Sequence, residues 1–134
     1  FPAEKKGLVP VLLEMAAERP GAVRGFDASR LDEGLWGEIG SPSSYIDLHR
    51  RILLERAVFD PAVAPPPMPL RTGEGSSIDP GATWSGFLDI GDGARIEKRA
   101  FLEDCIVLGG AVVAEGTAKD SAIFYGTQIL EADK

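Results

Sequence analysis

The sequence predicts a β-dominated chain in which a parallel β-helix of hexapeptide repeats, residues 78–134, follows a small α/β segment, residues 1–60. Three observations carry this reading. Residues 78–113 repeat in sixes, as IDPGAT, WSGFLD, IGDGAR, IEKRAF, LEDCIV and LGGAVV. Residues 61–69 hold five prolines in nine positions and form, with the polar run to Ser77, a stiff connector. The charge also changes across that connector. Residues 1–73 carry nine basic and ten acidic side chains, whereas residues 74–134 carry five and eleven.

The hexads define a core. Their first positions are Ile78, Trp84, Ile90, Ile96, Leu102 and Leu108, large and apolar each time. Their fifth positions are Ala82, Leu88, Ala94, Ala100, Ile106 and Val112. Three hexads make one triangular coil with the first-position side chain pointing inward. A β-sandwich also alternates, but it would not hold apolar residues at both positions of every hexad. The register is clean through Leu108. Then Val113, Ala118 and Ile123 follow at spacings of five, which predicts a distorted turn or loop there. About three coils fit before residue 130. Their open end must be capped or buried against another chain, which predicts self-association through the β-helix.

The first 60 residues read differently. Leu8, Val9, Leu12, Leu13, Met15 and Ala16 predict a short helix from Leu8 to Ala17, with Pro10 in its first turn and Arg19-Pro20-Gly21 after it. Short strands are expected at Ala22–Phe26 and Leu35–Gly40. Ser41-Pro42-Ser43-Ser44 offers a capping hydroxyl and a first-turn proline. Tyr45, Ile46, Leu48, Ile52, Leu53 and Val58 continue at helical spacing to about Phe59. Asp47 and Arg51 are spaced to pair on the outer face of that helix.

Composition excludes several functions. The net charge of −7 repels phosphate backbones and argues against nucleic-acid binding. Cys105 is the only cysteine and His49 the only histidine, so neither a disulfide scaffold nor a zinc site is expected. No apolar run approaches the roughly 20 residues that span a bilayer. No signal peptide opens the chain, which points to the cytosol. The chain begins at Phe1 rather than methionine and reads as a piece of a longer protein.

The segment Trp36-Gly37-Glu38-Ile39-Gly40-Ser41-Pro42-Ser43-Ser44-Tyr45 resembles the W-x-D-I-G-T-P-x-x-Y element of the sugar-1-phosphate nucleotidyltransferases. That family includes the mannose-1-phosphate guanylyltransferases. The order of parts is similar too: this element, a helix, a linker, then a left-handed β-helix of hexapeptides. The resemblance implies that residues 1–60 are the tail of a Rossmann-like catalytic domain. It implies a reaction in which a sugar 1-phosphate attacks the α-phosphorus of a nucleoside triphosphate and pyrophosphate leaves, with magnesium neutralising charge. It places Glu38 where the family has a metal-binding aspartate, and it puts Gly40 and Ser41 close to substrate. Trp36 would pack beneath the site.

The family's Gly-rich phosphate-binding loop has no counterpart here, so no catalytic residue is assigned and the 134 residues alone are expected to be inactive. Glu38 also reads as an exposed strand acid, His49 as a helix-surface or partly packed histidine, and Arg50 and Arg51 as a solvated helix face. Cys105 reads as a partly buried filler, and Trp84 as core or interface. Two other functions compete with this one. A non-catalytic β-helix scaffold fits every residue. A hexapeptide acyltransferase would need a histidine on the β-helix as base, and residues 74–134 contain none. A carbonic anhydrase of this fold would need three.

Overall fold

The structure, a computed structural model, describes residues 7–25, 37–58, 62, 64 and 66–133. It divides into two compact units, Phe1–Gly34 and Leu35–Lys134. The first contains α1, Leu8–Glu18, which buries none of its residues. Its last turn closes when the Arg19 N–H donates to the Met15 carbonyl. Residues 22–25 form no strand, and Phe26 lies outside the described residues.

The second unit is a parallel β-solenoid of about three turns with one helix, α2, on its flank. Among the described residues nine strands follow α2: β1 Leu70–Thr72, β2 Ser77–Ile78, β3 Thr83–Ile90, β4 Arg95–Ile96, β5 Phe101–Val107, β6 Val112–Val113, β7 Ala118–Asp120, β8 Ala122–Tyr125 and β9 Gln128–Glu131. They stack on three sides. One side is β2-β4-β6. The second joins the first halves of β3 and β5 to β7. The third runs β1, the second halves of β3 and β5, then β8. After β8 the chain reverses at Gly126 and β9 returns antiparallel, ending the solenoid as a hairpin.

The proline-rich connector ends sooner than the sequence suggests. β1 lies inside residues 61–77 and pairs with β3, and Leu70 packs on the solenoid core. That core contains Ile90, Ile96 and Leu102, with Ile78 and Trp84 partly buried against it.

Leu108 is different. It packs outside the solenoid, in the cluster beneath α2. The register slips at Asp104, before Leu108 rather than after it. Ser85 pairs with Glu103, eighteen residues on, whereas Leu88 pairs with Cys105, seventeen on. The corner Gly86-Phe87 of the first coil is matched by Asp104 alone. Asp104 takes φ +49°, a left-handed conformation that aspartate tolerates better than most residues. Its Oδ1 accepts the Phe87 N–H at 3.1 Å. A Cβ at Gly86, φ +66°, would fall 2.9 Å from Asp104 Cγ, so glycine is required opposite this shortened corner. Losing one residue moves every later inward position one place earlier. Cys105, Val107, Ala111 and Val113 point in, and Ile106 and Leu108 turn out.

Two consequences are testable. A Cβ on Gly91 would lie 2.5 Å from the Gly109 nitrogen, a backbone atom that cannot swing away. Gly91→Ala is therefore expected to cost about 1–3 kcal/mol in denaturant unfolding. Cys105 is fully buried, and burial pushes its thiol up to about 11. Its Sγ also donates to the Glu103 carbonyl at 3.2 Å. Near neutral pH the folded chain should react with a thiol reagent about a hundredfold more slowly than the unfolded chain.

α2 spans Pro42–Leu53. Ser41 and Ser44 close a reciprocal cap in which each side chain accepts from the other's backbone N–H at 3.1 Å. The helix stops short of Phe59, and Arg56 takes φ +56° just beyond it. Its buried face, Ile46 and Leu53, meets Phe87, Ile106 and Ile123 on the outer surface of the solenoid's third side. No described helix is long and apolar enough to cross a membrane.

Candidate functional site

The residues singled out by the family resemblance lie at the entry to α2. Glu38, Gly40 and Ser41 are all exposed, and Trp36 lies outside the described residues. Residues 37–40 form no strand and run as an irregular lead-in to the cap. Glu38 folds back over Gly40, where an added Cβ would sit 3.3 Å from Glu38 Oε1. The Ser41 hydroxyl is engaged in capping: it accepts the Ser44 N–H and lies 3.0 Å from Ser44 Oγ. Among the described residues no group of three His, Cys, Asp or Glu side chains could hold a metal. Glu38 is thus one hard oxygen donor, and a magnesium site here would need ligands from outside the described residues.

A groove of about 340 Å³ opens beside this lead-in, lined by Ile39, Pro42, Tyr45, Leu108, Tyr125 and Leu130 among others. Its walls are mainly apolar, which suits neither a phosphate nor a sugar hydroxyl. A recess of about 390 Å³ at the end of the solenoid is lined by Lys119, Asp120, Glu131 and Asp133; Lys119 pairs with Glu131, and the two aspartates leave an acidic excess that would repel a phosphate.

The strongest electrostatic arrangement lies where α2 meets the solenoid. Asp89 is the one buried charged residue among those described, 5 % exposed. His49 Nε2 stands 3.1 Å from its Oδ2, and Arg71 Nη1 donates to its Oδ1 at 2.9 Å. Burial pushes the Asp89 carboxyl up, but His49 and Arg71 outweigh it and hold the group below its ordinary 3.8. His49 Nδ1 lies 2.9 Å from the Tyr45 carbonyl. Both neighbours of the imidazole are acceptors. The ring also meets Tyr45 edge-on at 4.5 Å and stacks over Phe87 at 6.3 Å. Arg50 adds a second tie: its Nη1 reaches Asp47 at 2.5 Å and its Nη2 reaches Asp104 at 2.9 Å.

This is a clamp rather than a reaction centre. Both nitrogens of His49 face partners inside the protein, and neither is offered to a substrate. His49, read from sequence as helix surface or partly packed, and Arg50, read as a solvated face, tie α2 to the β-helix. Asp47 pairs with Arg50, three residues on, where the sequence suggested Arg51. The sequence offers one faint signal for the clamp. Arg71 and Asp89 stand eighteen residues apart, one coil, so they must neighbour each other once the repeat is extended back to Leu70. No protein-family model matches the chain, and no curated protein matches it either.

Proposed function

We propose that this chain is the C-terminal part of a sugar-1-phosphate nucleotidyltransferase, in which a left-handed β-helix is joined to the end of the catalytic domain and brings copies together. One observation carries the reading. The segment that resembles the family's W-x-D-I-G-T-P-x-x-Y element leads directly into a helix packed on the solenoid, so the two parts of the resemblance occur in one folded unit. The hexad spacing supports the left-handed sense of the β-helix.

On this reading the substrates are a nucleoside triphosphate and a sugar 1-phosphate. The sugar phosphate oxygen attacks the α-phosphorus in line and pyrophosphate departs. The groups that grip the triphosphate lie outside these 134 residues. Glu38 would offer its carboxylate to magnesium, and Gly40 would let the backbone approach a ligand. The Ser41 cap and the His49–Asp89 clamp set the position of that lead-in. A lone buried thiol suits a reducing compartment such as the cytosol.

A non-catalytic scaffold is the second reading. It is favoured by the exposed Glu38, which has no metal-binding cluster around it among the described residues. The test is pyrophosphate release by the protein of the whole reading frame, assayed against pairs of nucleoside triphosphates and sugar 1-phosphates. Turnover with at least one pair is expected, reduced about 10- to 100-fold by Glu38→Ala. A folded protein with no turnover on any pair would leave the scaffold.

A further inference from the structure

We infer that β9 is a docking edge for a second copy of this chain, paired strand to strand about a two-fold axis. The inference deepens the assembly role proposed above and rests on it.

The third side of the solenoid has two ends, and they are built differently. At the first end β1 follows Pro66, Pro67 and Pro69, which carry no N–H to offer a neighbouring strand. Arg71 at that end is tied to Asp89. At the other end β9 is, among the described residues, the last strand of its sheet, and its sequence Gln-Ile-Leu-Glu contains no proline, no lysine and no bulge. The one charge on that strand is Glu131.

The hydrogen bonding of the hairpin shows which groups face outward. The Ala132 N–H donates to the Ser121 carbonyl at 3.0 Å. With Ile123 opposite Leu130, this alternation turns the amides of Gln128 and Leu130 towards β8. The N–H and C=O of Ile129 then point to the free edge. An antiparallel strand matches its own copy, so two Ile129 residues can exchange both hydrogen bonds across a two-fold axis.

Charge and apolar surface favour a second copy as the occupant. In this register Glu131 falls opposite Thr127 of the other copy and not opposite another carboxylate. Glu131 is also neutralised within its own chain by Lys119, so the edge escapes most of the repulsion implied by a net charge of −7. Tyr125 and Leu130, 60 % and 42 % exposed, lie on one face of the hairpin, and Ile129, 44 % exposed, lies on the other, so apolar surface flanks the edge on both faces. Pairing would extend one sheet through both copies and set the two Ile129 side chains against each other.

The test uses two variants and sedimentation equilibrium. Ile129→Pro removes an N–H that points away from β8, so it should leave the hairpin intact. The wild type is expected to be a dimer, and Ile129→Pro to raise the dissociation constant about a hundredfold. The second variant, Ile129→Cys, places its thiols about 5.5 Å apart by Cα, within disulfide range, and should cross-link on mild oxidation. Buried Cys105 should not interfere. A dimer that Ile129→Pro leaves intact and Ile129→Cys cannot cross-link overturns the β9 assignment, while assembly through another surface stands. A wild type that stays monomeric at roughly 100 μM overturns self-assembly altogether. Neither result bears on pyrophosphate release, which tests the transfer reaction separately.

Discussion

Phe87→Ala is expected to destabilise the chain by about 3–5 kcal/mol, the largest loss for any single truncation in the Leu35–Lys134 unit. Phe87 is fully buried, yet it belongs to the cluster under α2 and not to the interior of the solenoid. It occupies the bulged corner, where its N–H is held by Asp104 and its ring stacks with His49. Truncation opens a cavity against Ile46, Leu53, Ile106 and Ile123, and none of these can close it without shifting α2. Denaturant unfolding followed by circular dichroism gives the magnitude. Amide exchange gives the location, because α2 should lose protection before the solenoid does. A loss below about 1 kcal/mol would mean that α2 contributes little to the fold.

Asp89→Ala is expected to cost about 2–3 kcal/mol. Removing one partner of a buried ion pair often costs about 3–5 kcal/mol, but here Arg71 can turn to water and the loss is smaller. Arg71 has 62 % of its side chain exposed, whereas that of His49 has 14 %. The pH dependence has a definite sign. Asp89 titrates below 3.8 in the folded chain because His49 and Arg71 outweigh the effect of burial. Its contribution is therefore complete above 3.8 and is lost as pH falls from there through the lower folded value. The wild type should lose stability across that acid window, and Asp89→Asn should lose less. Parallel acid profiles for the two proteins would show that the clamp carries no net stability.

The sequence makes the solenoid legible because a repeat states its own geometry. Ile90, Ile96 and Leu102 point inward as the hexads require. The slip at Asp104 was hidden for a physical reason. Cys105, Ile106, Val107 and Leu108 are apolar in succession because the solenoid core takes two of them and α2 covers the other two. A strand covered on both faces shows no alternation, so its phase cannot be read. The start of α2 was legible from local chemistry, since Ser41 and Pro42 act within one turn. Its end was not, because Val58 continued the apolar period past Leu53.

The candidate site divides in the same way. The resemblance around Glu38, Gly40 and Ser41 is a local string, visible without a fold. The clamp is not local. His49 and Asp89 are forty residues apart, and only the packing of α2 on the third side brings them together. A lone histidine on a helix offers no sign that a buried carboxylate lies opposite. In the described part of the strand expected at Leu35–Gly40, residues 37–40, no strand forms, and Ile39 has no partner strand among those described.

The most direct measurement is to read the coding DNA upstream of Phe1. The account predicts an open frame of about two hundred codons, the length of an ordinary domain, that encodes a Gly-rich loop able to cradle a triphosphate with backbone amides. A start codon immediately before Phe1 would contradict it, and the β-helix would then be a scaffold with a docked helix.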